Sequence, residues 1–285
     1  MIRKIKIIKF LIHQNILYIK KYLFIMLNIK EFLYRKKQLN LLSLSSESKL
    51  VLDKILDEGF YKLNSNLYFG SLLDNLYEEA KNLSIKTEGS LKKGKLFLEQ
   101  KINLSDIDND SIFLKIALNE KILEIISSYL GSSAYLEEVE LIQSLPSEEY
   151  NQSQLWHIDR TDNKIIKLFI YCNDVDEKNG PFKFLKTKES KKIPSLVPHY
   201  LDDSFVDKHI DSSRVNSVKG EKGTSFIIDT KNCFHMGSRC QKPRLAFIAY
   251  YNSGFGYFQR KHDWRKNETI YPNKFSKLQK LALDL

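Results

Sequence analysis

Two histidines and an aspartate define the chemistry open to this chain. His157 and Asp159 are one residue apart. On an extended strand residues i and i+2 face the same way, so an imidazole and a carboxylate there converge without a special turn. His235 follows 78 residues after His157, just beyond a hydrophobic run at Ser225–Ile228 and a turn at Asp229–Asn232. If the two segments close side by side, they present two nitrogens and one oxygen on one face. That is the facial triad that holds non-haem Fe(II) and leaves coordination positions open for a chelating cosubstrate and O2. Arg244, nine residues after His235, opens another hydrophobic run. There a guanidinium could take a carboxylate through a bidentate pair, the anchor expected for the distal carboxylate of 2-oxoglutarate. The spacing alone also fits ordinary core histidines and a salt-bridged surface arginine.

The elements that must position these groups change character along the chain. Ser45–Leu56 reads as a short helix ending at Gly59, Phe60–Leu63 as a brief strand, and Leu72–Leu83 and Ile112–Leu130 as further helices. Gly89–Gln100 reads as a connector or hairpin piece. From Ser153 the period becomes two. Gln154–Asp159, Ile165–Cys172, Phe182–Leu185, Val215–Val218, Ser225–Ile228 and Leu245–Tyr251 are strand-like. Helices first and antiparallel strands afterwards predict an α+β domain whose second half is a β-sandwich or barrel. Residues 186–212 have the weakest periodicity and are the candidate lid over a pocket, with His199 and His209 within it.

Composition bounds the rest. The chain has 285 residues, 42% hydrophobic and 28% charged, which suits one folded domain with a real core. Three cysteines without a CxxC pair argue for a reducing, cytoplasmic setting and against a disulfide framework or thiolate zinc site. The formal charge is +10, but residues 1–42 carry +9 of it. A nucleic-acid reader places its basic stripe on the folded domain, so this pattern argues against one. Within residues 1–42, Lys20 and Lys21 split the apolar runs, and neither run reaches the roughly 20 residues needed to span a bilayer. The segment therefore reads as a basic amphipathic N-terminal extension. It makes peripheral contact with an anionic membrane on the cytoplasmic face, packs on the main domain, residues 43–285, or is no part of the natural product, whose start would then be Met26.

Together, Trp156-His157-Ile158-Asp159, Asn179-Gly180-Pro181-Phe182, the run from Gly223 to Asp229, His235-Met236-Gly237 and Arg244 resemble one known family. It is the phytanoyl-CoA dioxygenase-like Fe(II)/2-oxoglutarate-dependent oxygenases, and the similarity extends loosely over residues 50–255. The resemblance implies a double-stranded β-helix (jelly roll, cupin-like) with N-terminal helices packed on the sheet. It implies iron on His157, Asp159 and His235, with 2-oxoglutarate chelating the iron and salt-bridged to Arg244, and O2 as second cosubstrate. The implied activity is a dioxygenase that hydroxylates an aliphatic carbon of a small metabolite, lipid or sugar-containing substrate. Retention of Asp159 favours hydroxylation over halogenation, which in related enzymes needs that carboxylate position vacated. The chain departs from the family where a Ser-His pair commonly follows the Gly-Pro turn and Glu189-Ser190-Lys191-Lys192 stands instead. The competing reading is a non-catalytic glycan- or metabolite-binding module on the same scaffold.

Overall fold

A computed structural model of the chain describes residues 16, 19–86, 90–92, 95–194, 197–255 and 263–285. Residues 1–15 of the N-terminal extension, with His13, lie outside the described residues, as do 195–196 of the candidate lid and His262.

Local chemistry sets the first helices. Ser45 caps the helix Ser46–Glu58 by accepting from Ser48 N–H, and Gly59 closes it in the left-handed conformation at φ +75°. The apolar period over 112–130 predicts one helix, but the structure has two, Ile112–Ala117 and Glu120–Leu130. Asn119 divides them: its side chain accepts from Ile122 N–H as an N-cap and donates to the Tyr68 carbonyl. An apolar pattern continues through such a cap, because capping is done by a polar side chain between the hydrophobic positions.

The described residues form ten strands in two antiparallel sheets. They are β1 (Phe60–Lys62), β2 (Ser90–Lys92), β3 (Lys95–Gln100), β4 (Tyr135–Ser144), β5 (Ile166–Tyr171), β6 (Phe182–Phe184), β7 (Asn216–Val218), β8 (Ser225–Asp229), β9 (His235–Met236) and β10 (Arg244–Asn252). The larger sheet runs β1-β8-β5-β10-β4-β3-β2 and the smaller β7-β6-β9. Two-residue alternation sends the two faces of the large sheet to different cores. Leu168 and Ile170 of β5, Ile227 of β8 and Phe247 and Ala249 of β10 meet the helices, with Val51, Ile55, Ile122 and Ile126. Phe169, Tyr171, Phe226, Ile228 and Ala246 face the small sheet and pack on Phe182, Phe184 and Val218. The N-terminal helices therefore lie on one side of a multi-stranded antiparallel sheet, and the space between the sheets holds the polar site.

One strand expectation needs correction. Gln154–Asp159 is not a regular strand: Gln152–Gln154 forms a 3-10 turn, and only Trp156 and His157 make isolated bridges, to Leu201 and His235. The chain here touches single residues of two different segments, so no ladder propagates. Residues 186–212 carry short helices at Thr187–Ser190 and Asp203–Asp207, and Leu185, Ile193, Leu201, Val206 and Ile210 pack with Trp156, Phe234 and Met236. That stretch therefore has a core of its own.

Candidate active site

His157 and His235 are brought together by the backbone. Each donates its N–H to the other's carbonyl at 2.9 Å, a two-bond bridge that sets the rings 4.2 Å apart between centroids. Each Nδ1 also lies 2.9 Å from a backbone carbonyl two residues earlier, Leu155 for His157 and Cys233 for His235. A carbonyl only accepts, so each Nδ1 carries the proton and each Nε2 is left with a free lone pair. Asp159 N–H donates to the Thr230 carbonyl at 2.9 Å, fixing the third member. Ligand atoms of His157, Asp159 and His235 all lie within 4.8 Å of one another.

Burial and neighbours hold all three in the ligating state. Burial pulls His235 down to about 4, and burial together with His235 pulls His157 well below the usual imidazole range, so both rings are neutral near pH 7. Burial would raise the Asp159 carboxyl, but the Lys167 ammonium and the two imidazoles outweigh it and hold it well below the usual carboxylate range. Lys167 Nζ stands 2.8 Å from Asp159 Oδ2. Register explains this ion pair: Lys167 of β5 sits directly across from Tyr250 of β10, on the face turned to the small sheet, and its ammonium lies 5.4 Å from the Tyr250 ring centre. The sequence carries a signal for this residue, a lone lysine inside the apolar strand Ile166–Tyr171.

Arg244 sits on the same face of β10 and is buried. One Nη donates to the Gly180 carbonyl at 2.5 Å and the other to Ser238 Oγ at 3.0 Å, with Ser144 Oγ at 3.4 Å. Its Nε has no hydrogen-bond partner, and among the described residues no carboxylate pairs with the guanidinium. Two motif glycines make this cradle. Gly180 turns at φ +60°, where a Cβ would stand 2.6 Å from the Arg239 carbonyl carbon, and a Cβ on Gly237 would stand 3.4 Å from the Arg244 Nη. The strand that carries His235 runs on through Gly237 and Ser238 to the guanidinium, linking the two halves of the site.

The residues present fit the groups that the sequence motifs imply. Two free imidazole lone pairs and an ionised carboxylate suit a divalent transition metal. A buried arginine with an unpaired Nε, beside two hydroxyls, suits a carboxylate anion. Within residues 197–212, Leu201 exchanges both backbone hydrogen bonds with Trp156, at 2.8 and 3.0 Å. Trp156 Nε1 donates to Asp203 at 3.0 Å, and Arg239 grips the same carboxylate with two nitrogens. This seats the His199 and Tyr200 rings 6.2 and 5.6 Å from His157, contacts that no spacing in the sequence indicated. His209 lies apart, exposed and bonded to the Phe205 carbonyl.

No protein-family model matches the chain, and no curated protein matches it. Solved structures do. EctD from S. alaskensis in its apo form superposes with a TM-score of 0.51 at 15% identity, covering 74% of this chain and 77% of that one. HygX from Streptomyces hygroscopicus, with nickel, 2-oxoglutarate and hygromycin B bound, gives 0.51 at 13% identity, covering 77% of this chain and 90% of that one. EctD with 2-oxoglutarate and 5-hydroxyectoine gives 0.50 at 15% identity, over 74% and 76%. At these identities the likeness is one of fold: N-terminal helices on an antiparallel sheet of jelly-roll type.

Proposed function

We propose that this chain is an Fe(II)/2-oxoglutarate-dependent dioxygenase that hydroxylates an aliphatic carbon of a small metabolite, lipid or sugar-containing substrate. One observation carries the reading. A metal-ready triad of His157, Asp159 and His235 shares the space between the sheets with Arg244, a buried cation that lacks a counter-charge among the described residues. The order of the motifs supports it through their resemblance to the phytanoyl-CoA dioxygenase-like oxygenases. The fold supports it as well, since EctD and HygX structures of the same type hold 2-oxoglutarate.

Iron bound here would supply oxygen activation: 2-oxoglutarate and O2 give succinate and CO2, with one oxygen atom entering succinate and the other a substrate C–H bond. His157 and His235 present their Nε2 lone pairs with the ring planes held by carbonyls, so no proton has to leave before ligation near pH 7. Asp159 stays ionised beside Lys167. Arg244 takes the distal carboxylate of 2-oxoglutarate, with Ser144 and Ser238 supplying neutral contacts around it. Phe182, stacked 5.4 Å from His235, and Phe169 beside it keep water from that side. His199 and Tyr200 line the lid side, where substrate enters. We also read residues 43–285 as a single oxygenase domain with 186–212 as its lid.

The test is succinate formation from 2-oxoglutarate in the presence of Fe(II), O2 and a panel of metabolite, lipid and sugar substrates. Turnover that disappears in Asp159→Ala and His235→Ala supports the proposal. Tight substrate binding without succinate, unchanged in the same variants, would instead mark a binding module.

A further inference from the structure

The helix at the N-terminus is built inside out. Residues 19–27 and Ile29–Gln38 form two nearly continuous helical stretches through a turn at Asn28. The inward side carries charge. Lys21 pairs with Asp162, and Arg35 binds Glu31, Asp284 and the Leu281 carbonyl, leaving it 1% exposed. Phe24 and Phe32 close that side against Phe255. The outward side is apolar: Ile19, Tyr22, Leu23, Met26, Leu27 and Leu33 are all exposed, Met26 at 73% and Leu27 at 77%. A surface helix ordinarily turns such residues to the core and its charges to water. Here lysines remain in water, yet the outward side also leaves an apolar stripe that no described residue covers, and apolar surface collected in this way marks a docking face.

We infer that this outward stripe is a docking face for an anionic lipid surface. Charge selects that occupant. Lys30 and Lys37 lie within the stripe, one heptad apart and both exposed, with Lys20 and Lys36 beside them. Residues 1–42 carry a formal charge of +9. A second copy of this chain would set those lysines against their own like charges. An anionic headgroup layer neutralises them while their stems lie along the apolar boundary. No helix among the described residues is long and apolar enough to cross a membrane, so the stripe lies flat on the surface. The buried Lys21 and Arg35 pairs fasten the helix to the body, so the stripe is displayed by the fold.

The test is sedimentation of the full chain with vesicles, and it needs neither iron nor turnover. Vesicles of phosphatidylglycerol and phosphatidylcholine are compared with phosphatidylcholine alone, at low and high salt. The full chain is expected to sediment with the anionic vesicles and to be released by salt. The variant Lys30→Gln/Lys37→Gln, which disturbs no buried contact, should lower the bound-to-free ratio about tenfold or more. Leu23→Gln/Met26→Gln/Leu27→Gln should lower it further, with an unchanged melting temperature showing that the fold is intact. Equal partition onto neutral and anionic vesicles would overturn the inference, as would unchanged partition of the lysine variant. A lipid-free dimer in sedimentation velocity that the triple variant dissolves would also overturn it, and would give the face to a second copy.

Discussion

Arg35 and Arg244 are both buried arginines, and they are solvated by the protein in opposite ways. Arg35 meets two carboxylates, Glu31 and Asp284, and a carbonyl, so all three of its nitrogens are used. Arg244 meets a carbonyl and two hydroxyls, and its Nε meets nothing. Burying a cation without a counter-ion is costly, and proteins rarely retain the arrangement for stability alone. The contrast separates an arginine that joins the N-terminal helix to the C-terminal helix from one whose proposed partner is an incoming anion. It also predicts that the two should fail differently.

The largest effect is expected at Arg244. If Arg244 anchors 2-oxoglutarate as proposed, replacing it with Met removes the charged partner of that carboxylate, worth about 3–4 kcal/mol, or roughly 10²- to 10³-fold in 2-oxoglutarate affinity. Thermal stability should hold or rise, because an uncompensated buried charge has gone. A titration of 2-oxoglutarate and a melting curve on the same sample check both halves. A large fall in melting temperature with unchanged 2-oxoglutarate affinity would break the comparison.

Arg35→Met should give the mirror image. Glu31 is well exposed and Asp284 partly so, and water takes over much of their solvation, so the loss is about 1–3 kcal/mol of stability. At this chain length that is a fall of several degrees in melting temperature, with 2-oxoglutarate affinity unmoved.

How far the site could be read from the sequence follows from the same residues. His157 and Asp159 were legible as a pair because their i, i+2 relation is local, and Arg244 as a candidate because it opens a clear hydrophobic run. What surrounds Arg244 was not: Gly180, Ser144 and Ser238 come from three separate segments, and Ser144 lies 100 residues away from it. The strand β4 also escaped the reading, because Glu137, Glu138 and Glu140 interrupt its period. In the structure Glu137 is buried and accepts a hydrogen bond from Asn252 at 2.9 Å, so an acid occupies an inner position of the sheet. Contacts between distant segments leave no periodicity to read, and the single helix expected over 112–130 failed for a related reason, the capping role of Asn119.

A third prediction sharpens the comparison at the metal end, where charge is already balanced. Lys167→Met removes the ammonium that competes for Asp159. It should raise the affinity of the metal-free protein for divalent metal by roughly tenfold and lower the stability of that metal-free form. Calorimetric titration with Fe(II) or Ni(II) measures it, and weaker metal binding would show that Lys167 instead orients the carboxylate.

The last prediction concerns pH. His157 and His235 are depressed in the fold, His235 to about 4, whereas unfolded imidazoles titrate near 6.5. Between those values the unfolded chain binds more protons, so the metal-free protein should lose stability as pH falls from about 6.5 toward about 4. Melting temperatures in the presence of a chelator should show this slope. His235→Gln should flatten it, and an unchanged slope would place the titration elsewhere.

The most direct test of the central claim is an anaerobic titration of the purified chain with Fe(II) and 2-oxoglutarate, followed by the visible metal-to-ligand charge-transfer band. The account predicts a band in the native chain, none in His235→Ala, and in Arg244→Met a band that develops only at far higher 2-oxoglutarate. Folded, iron-loaded native protein that gives no band, or His235→Ala protein that gives the same band as the native chain, would contradict it.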